Sequence, residues 1–170
     1  MNPSWCVETG RLSLRPVWGG DLADLIALKS DPRVFAVMLG GVRDAVRTAA
    51  ELAEDVAFWG AHGFGMWAAH SRDDGAFLGI AGLLHRADGR GVALRFAFRP
   101  EWRGQGLASE AALAALRFGH ERAALPRIIA VAREDNVASR TLLGGIGMVP
   151  CETFVRAGVA MLTYESRRPL

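Results

Sequence analysis

The sequence predicts an α+β fold built around a sheet of about seven strands. Three strand-like segments follow one another in the middle of the chain, and helical periodicity lies on both sides of them. Runs of consecutive strands mixed with helices are typical of α+β proteins rather than of doubly wound sheets. The length of 170 residues suffices for a full core, and 51% apolar with 22% charged residues excludes a disordered chain.

The first half of the chain begins with one strand and two helices. Arg11–Arg15 alternates apolar and polar residues, which predicts a strand. Gly20-Asp21 opens an apolar-periodic helix that Asp31-Pro32 breaks. A long helix is predicted over Arg43–His62. Its apolar face is predicted to consist of Ala49, Leu52, Ala53, Val56 and Trp59.

The middle of the chain predicts an antiparallel meander. Its strands are Met66–His70, Ala76–Leu84 and Val92–Phe98, and short charged segments containing glycine separate them. The longest apolar run is much shorter than the roughly 18 residues that a membrane-spanning helix requires.

Helical and strand periods then alternate to the end of the chain. Gln105–Arg122 predicts a helix, Arg127–Ala132 a strand and Asn136–Gly145 a second, short helix. Met148–Arg156 and Val159–Glu165 flank an Ala-Gly pair, which predicts a closing hairpin. No repeat or linker interrupts this order, so we expect a single domain over residues 1–170.

The balance of charges argues against nucleic-acid and membrane partners. Twenty basic and 18 acidic residues give a formal net charge of +2, and Lys29 is the single lysine. Cys6 and Cys151 lack the spacing of a metal or redox pair, so we expect buried or inert thiols rather than a disulfide. The chain is predicted to be cytoplasmic, because its N-terminus lacks the pattern of a signal peptide.

The segment from Arg103 to Ala108 carries the strongest chemical signal. It reads Arg-Gly-Gln-Gly-Leu-Ala and joins a predicted strand to a predicted helix. Small residues at such a turn let several backbone N–H groups converge at the positive end of the helix dipole. The turn can therefore bind a phosphate or diphosphate, with Arg103 as an added cation, although a purely structural turn also explains the glycines.

Two familiar phosphate-binding motifs do not fit this turn. The mononucleotide motif G-x-x-x-x-G-K-[ST] requires a lysine, and none is present in the segment. The dinucleotide motif G-x-G-x-x-G/A is approached by Gly104 and Gly106, but Ser109 occupies its third position. That motif also normally follows the first strand of its fold, whereas this turn follows a meander.

The turn instead resembles the [QR]-x-x-G-x-[GA] signature of the GNAT N-acetyltransferases, through Arg103, Gly106 and Ala108. Asn136-Val137-Ala138-Ser139, followed by Gly147-Met148, is similar to the N-x-x-S…G-F pattern of the RimJ/RimL-like branch, which acetylates the N-termini of ribosomal proteins. Glu8–Arg15 resembles the first strand of that branch, so the similarity covers nearly the whole chain.

The resemblance implies the GNAT fold, with a mixed, mostly antiparallel sheet, and acetyl-CoA as co-substrate. The strand residues Phe96 and Phe98 would pair with the pantetheine arm, and a backbone N–H there would polarise the thioester carbonyl. The resemblance places the following residues at the cofactor: Phe96, Phe98, Arg103, Gly104, Gln105, Gly106, Leu107, Ala108 and Asn136.

Ser139 matches the serine that this branch is proposed to use as proton donor to the departing thiolate. Other GNAT branches use a tyrosine at the position of Leu143, and the single tyrosine here is Tyr164. Asn136 is equally suited to cap the second helix, with Ser139 in its first turn, so a purely structural role stays open for both.

The general base has no clear candidate in the sequence. Many relatives place a glutamate at the position of Ala93, and Arg95 is the charged residue of that strand here. Arg95 is either a solvated strand residue or, if it faces the acceptor, a group that favours an anionic substrate. Glu134, Asp135 and His85 are alternative sources of a base, as is water.

The sequence thus predicts an acetyl-CoA-dependent N-acetyltransferase that acts by direct transfer to a primary amine in a ternary complex. A protein N-terminus is the favoured acceptor through the branch resemblance, and a small amine is the other possibility. The alternative is a non-catalytic CoA-binding sensor or scaffold. We expect a monomer or homodimer, without a metal.

Overall fold

The computed structural model describes residues 2–168. Within that range the chain forms eight strands and five α-helices. The strands are β1 (Val7–Glu8), β2 (Leu12–Pro16), β3 (Met66–Ser71), β4 (Phe77–His85), β5 (Val92–Phe98), β6 (Arg127–Arg133), β7 (Val149–Arg156) and β8 (Val159–Arg167). The helices are α1 (Leu22–Ser30), α2 (Pro32–Phe35), α3 (Ala45–His62), α4 (Leu107–Glu121) and α5 (Val137–Gly145). No helix among the described residues is long and apolar enough to cross a membrane.

The predicted α+β architecture is confirmed, with one more strand than the predicted seven. All eight strands form one sheet in the order β1-β2-β3-β4-β5-β6-β8-β7. The extra strand β1 pairs only through Val7 and Glu8, which is too short a run to show an alternating pattern. Every neighbouring pair is antiparallel except β5 and β6, so the sheet is mixed and mostly antiparallel.

The single parallel pair has the fewest paired residues of any pair in the sheet. β4 and β5 are in register from Gly79–Phe98 to His85–Val92, but β5 and β6 pair only where Ala93 faces Ile129. These two residues lie near the N-terminal ends of their strands, so β5 and β6 are unpaired toward their C-terminal ends. The turn that leads to α4 and the start of α5 both follow those ends.

The core divides between the two faces of the sheet. Alternation along β5 sends Leu94 and Phe98 into the cluster that includes α4, and Ala97 into the cluster that includes α1 and α2. Ala93 and Arg95 share the face of Ala97 by the same alternation. The two cysteines are free, and Cys151 is exposed rather than buried.

Helix α3 turns a different face inward than the apolar pattern predicts. Thr48, Leu52 and Trp59 are its buried residues, and Asp55 lies on the same stripe and is half-buried. The other predicted core positions of the helix are exposed, namely Ala49, Ala53 and Val56. The Trp59 indole fixes this rotation, because it donates to the Met66 carbonyl at 2.8 Å and stacks on Trp5. Small alanine side chains offer too little apolar area to compete with a tryptophan.

Candidate active site

The turn before α4 adopts a backbone that requires its glycines. A 3-10 turn over Pro100–Trp102 ends β5, and Gly104 and Gly106 follow with φ of 74° and 76°. Side chains with a Cβ adopt this left-handed region at a cost of about 1–2 kcal/mol. A Cβ built on Gly106 would meet only the Arg11 guanidinium, at 3.5 Å, so the backbone angle rather than crowding within the protein requires this glycine.

The turn presents a continuous row of free backbone donors. Among the described residues, no acceptor receives a hydrogen bond from the N–H groups of residues 104–109, whereas the Glu110 N–H donates to the Gly106 carbonyl. Gly104, Gln105 and Gly106 are exposed, and Leu107 to Ser109 form the first turn of α4. Convergent N–H groups at the positive end of a helix dipole form an anion site.

Hydrogen bonds among the side chains of Thr9, Arg11 and Glu110 support the turn. The Arg11 guanidinium donates to the Gln105 carbonyl at 2.7 Å and pairs with Glu110 at 2.7 Å. Thr9 Oγ1 also donates to Glu110 at 2.6 Å. Burial alone would raise the pKa of Glu110, but the hydrogen bonds from Thr9 and Arg11 outweigh it and lower that pKa. Arg103, the predicted cation of the turn, is exposed and donates to the Arg33 carbonyl of α2 at 2.8 Å.

The gap between β5 and β6 exposes backbone groups of β5. The Arg99 N–H donates to the Leu78 carbonyl at 2.9 Å, so the odd-numbered residues of β5 direct their backbone polar groups toward β4. The even-numbered residues direct theirs toward β6. Since β6 has separated from β5 at this point, the N–H and C=O groups of Phe96 and Phe98 border the gap.

One cavity joins the gap to the α1–α3 side of the sheet. Its volume is about 900 Å³. On the gap side it is lined by residues 93–97 of β5, residues 130–133 of β6 and the start of α5. On the other side it is lined by residues of α1 and α3 and by the segment from Phe35 to Gly40.

Asn136 and Ser139 both line this cavity. The Asn136 side chain caps α5, accepting a hydrogen bond from the Ser139 N–H at 3.1 Å. The Ser139 hydroxyl takes no part in that cap and donates to no group within residues 2–168. Its oxygen is therefore free to face a ligand.

No tyrosine among the described residues lines the cavity. Leu143 does line it and is 1% exposed, at the place where other branches have a tyrosine. Tyr164 is buried in the core, and its hydroxyl accepts a hydrogen bond from Arg140 at 3.5 Å.

Of the three side chains that the sequence offers as a general base, one lines the cavity. Glu134 and Asp135 do not line the cavity, and Asp135 pairs with Arg133 at 2.7 Å. His85 lines it, within an aromatic group formed with Phe58 and His62.

Asp55 is the carboxylate that sequence reasoning missed. It lies on the inward stripe of α3 and lines the cavity. Burial raises the pKa of Asp55 to about 6, against the opposing effect of Lys29. A signal was present in the sequence, since Asp55 follows Leu52 by three residues and precedes Trp59 by four.

The site thus combines free backbone donors after the end of β5 with a cavity that has a charged wall on the α1–α3 side. The family model for the acetyltransferase (GNAT) domain matches residues 11–149. The chain belongs to the GNAT family, and by that membership it is an N-acetyltransferase of a family that uses acetyl-CoA.

Solved structures share the fold at low sequence identity. An acetyltransferase from Agrobacterium tumefaciens is 24% identical, with a TM-score of 0.84, over 95% of this chain and 94% of that one. A RimL ribosomal L7/L12 α-N-protein acetyltransferase in complex with coenzyme A is 14% identical, with a TM-score of 0.80, over 95% and 97%. An acetyltransferase from Salmonella typhimurium that modifies the N-terminal serine of L7/L12 is also 14% identical, with a TM-score of 0.80, over 94% and 96%.

Proposed function

We propose that this protein transfers an acetyl group from acetyl-CoA directly to a primary amine, with a protein N-terminus as the favoured acceptor and a small amine as the other candidate. The observation that carries the proposal is the row of free N–H groups at residues 104–109, which follows the end of β5, the strand that separates from β6. CoA carries a diphosphate, which suits the free N–H groups. It also carries an amide-containing arm, which suits the exposed backbone of β5. When bound, acetyl-CoA supplies the acetyl group as a thioester.

Each part of the site has a role in this proposal. The backbone N–H groups from Gly104 to Ala108 hold the diphosphate, whereas the Arg103 N–H, which was predicted to join them, donates to the Pro100 carbonyl at 3.2 Å. Phe96 and Phe98 pair their backbone with the pantetheine arm. A free N–H of β5 also polarises the carbonyl that is attacked. Asn136 orients Ser139 through the helix start, and the Ser139 hydroxyl gives its proton to the sulfur that leaves.

The shape of the cavity supports direct transfer in a ternary complex. The gap and the α1–α3 side belong to one continuous space of about 900 Å³, so donor and acceptor can be held together. An acyl-cysteine intermediate would need a thiol in that space, and neither Cys6 nor Cys151 lines it. We propose that the whole chain works as one domain in the cytoplasm, as a monomer or homodimer, without nucleic acid or membrane.

The second candidate function is a non-catalytic CoA sensor or scaffold. It is favoured by Leu143 and Ala93, which stand where relatives have a tyrosine acid and a glutamate base. Such a protein would bind CoA through the same diphosphate site and separated strands but would not catalyse acetyl transfer.

Release of free thiol from acetyl-CoA separates the two functions. The assay should include a panel of N-terminal peptides and small amines, with each acetylated product identified by mass. We expect thiol release that depends on the amine, with one acetyl group added per thiol. CoA binding without transfer to any amine would favour the sensor.

A further inference from the structure

Most of the charged side chains that line the acceptor side of the cavity have an ion-pair partner within the protein. The Glu51 carboxylate accepts from Lys29 at 2.8 Å and from both Arg43 and Arg47 at 3.1 Å, so it balances one of three positive charges. Arg86 pairs with Asp88. Arg90 pairs with Glu152 at 2.6 Å. These partners hold the paired side chains in place, and the wall keeps an excess of positive charge.

Two groups of opposite sign remain without partners in this wall. Neither Asp55 nor Arg95 forms an ion pair or a side-chain hydrogen bond with any described residue. Glu54 and Arg156 are also unpaired and exposed to solvent. Asp55 is half-buried, whereas Arg95 is exposed, and Arg95 differs from Arg156 in directly preceding Phe96 at the gap. Unpaired charges that are partly desolvated gain most from a ligand of opposite charge.

Asp55 and Arg95 both line the acceptor side of the cavity. Asp55 projects inward from α3, and Arg95 lies on the β5 face that packs toward α1 and α2. Each influences the ionisation of the other, yet the two are beyond ion-pair distance. A space therefore separates a carboxylate from a guanidinium, and Arg95 directly precedes Phe96, whose backbone borders the gap.

We propose that Asp55 and Arg95 form an acceptor subsite for an amine that carries an anionic group, with the ammonium at Asp55 and the anion at Arg95. The inference rests on the proposed function, because it assigns the substrate class of the same cavity. A carboxylate suits the fork of an arginine, and an ammonium suits a carboxylate that has no other partner. The anion is either the α-carboxylate of a free amino acid or an acidic side chain near a peptide N-terminus.

Asp55 also takes the proton that the amine must lose. The carboxylate removes one proton from the ammonium, which leaves a neutral nitrogen. The nitrogen lone pair then forms the bond to the acetyl carbon and displaces the thiolate, which keeps the electrons of the C–S bond. The second proton of the nitrogen reaches the sulfur through Ser139 or water. Asp55 is the general base in this scheme, and Arg95 is a binding residue.

Several charged groups set the ionisation of Asp55. Lys29 of α1 and Arg95 of β5 favour the carboxylate, whereas Glu51 and Glu54 on its own helix oppose it. Asp55 must be ionised to accept a proton, so kcat/KM should rise with pH through about 6. The α-amino group of the acceptor titrates near 7.7–8.0, about two units higher, and its effect can be separated.

Matched acceptors test the anion preference. Ala-Asp-Ala and Ala-Asn-Ala tripeptide amides differ only in the acidic side chain, and alanine and alaninamide differ only in the α-carboxylate. We expect the anionic member of at least one pair to have a kcat/KM about 10-fold higher. The pair that responds identifies the source of the anion. Arg95→Gln should abolish the preference, because it should lower the rate with the anionic member more than the rate with the neutral member. Equal rates within both pairs in an active enzyme would overturn the assignment.

Asp55→Asn keeps the shape of the side chain but removes its basicity. We expect kcat/KM to fall about 10²-fold and its rise near pH 6 to disappear. A variant that lost activity but kept that rise would show that Asp55 is not the base. Asp73→Asn in the β3–β4 turn and Arg117→Gln on the exposed side of α4 are the matched controls, and both should behave as the parent protein.

An NMR pH titration of the Asp55 carboxyl carbon measures ligand binding at the subsite without requiring catalysis. In the parent protein, saturating Ala-Asp-Ala amide or alanine should lower the pKa of Asp55 by about one unit, because the ammonium stabilises the carboxylate. Arg95→Gln should remove the response at the same ligand concentration. If no amine is acetylated but this shift occurs, the proposed function fails and the subsite stands. If acetylation occurs and no anionic amine shifts the pKa, the subsite fails alone.

Discussion

The donor half and the acceptor half of the proposed site are built from different chemical groups. The donor half consists of backbone, namely the strand edge at Phe96 and Phe98 and the N–H groups of residues 104–109, which lie outside the lining of the cavity. The acceptor half consists of side chains, above all Asp55 and Arg95. A backbone site survives changes in most side chains, whereas one substitution can alter the acceptor half. A change of acceptor preference therefore requires fewer substitutions than a change of acetyl donor.

The largest expected effect concerns Ser139, which lies between the halves. If its hydroxyl protonates the leaving sulfur, Ser139→Ala should lower kcat and kcat/KM together, by about 10²-fold, with acetyl-CoA affinity kept. The Asn136 cap uses the backbone N–H of Ser139, so the melting temperature should stay nearly constant. Both quantities should be measured on one preparation. Full activity would leave water as the proton donor and remove Ser139 from the mechanism.

A smaller effect is expected at Gly106, where the donor half depends on backbone angle. Gly106→Val should weaken acetyl-CoA binding about 10-fold or more while the protein still folds, because φ is 76° and the added side chain also covers the turn. Gly106→Asn is the informative companion, since asparagine tolerates this φ. If the cofactor lies close to residue 106, calorimetry should show that Gly106→Asn also binds acetyl-CoA more weakly than the parent protein. Wild-type affinity in Gly106→Asn would show that the glycine serves only the turn.

Asn136 should contribute to stability and to the donor site separately. Asn136→Ala should cost about 1 kcal/mol of unfolding free energy, because the α5 cap is lost. Asn136→Ser keeps a capping oxygen and should restore most of that stability. If Asn136 also contacts the cofactor, Asn136→Ser should still bind acetyl-CoA less tightly than the parent protein. Equal affinities in the two proteins would limit Asn136 to capping.

The smallest effect concerns the support behind the turn. Glu110 has a lowered pKa, so its contribution to stability is present at neutral pH and is lost as the pH falls below its ordinary value of 4.5. Glu110→Gln should cost up to ~1 kcal/mol at pH 7 and show a weaker loss of stability toward pH 3. Denaturant unfolding at both pH values measures this. A parallel decline in the two proteins would mean that Glu110 does not stabilise the fold.

The sequence predicted the donor half better than the acceptor half for a physical reason. Glycines, proline and alternating strand residues act locally, so the turn at residues 103–108 and the order of strands and helices were visible in the chain. The orientation of α3 depends on distant partners, because Trp59 binds the Met66 carbonyl and stacks on Trp5. That rotation turns Asp55 inward, whereas the apolar periodicity of the sequence predicted that Ala49 and Ala53 would face inward. The pairing of β8 with β6 is likewise a long-range choice.

Binding of the acetyl-CoA diphosphate by the free backbone donors of residues 104–109 is the basis of the proposed function. Calorimetric titration with acetyl-CoA and with pantetheine, each at low and high salt, tests it most directly. We predict that acetyl-CoA binds much more tightly than pantetheine and that salt weakens only the acetyl-CoA affinity, because charge attraction to the diphosphate is screened. Equal affinity for the two compounds, unaffected by salt, would contradict the account.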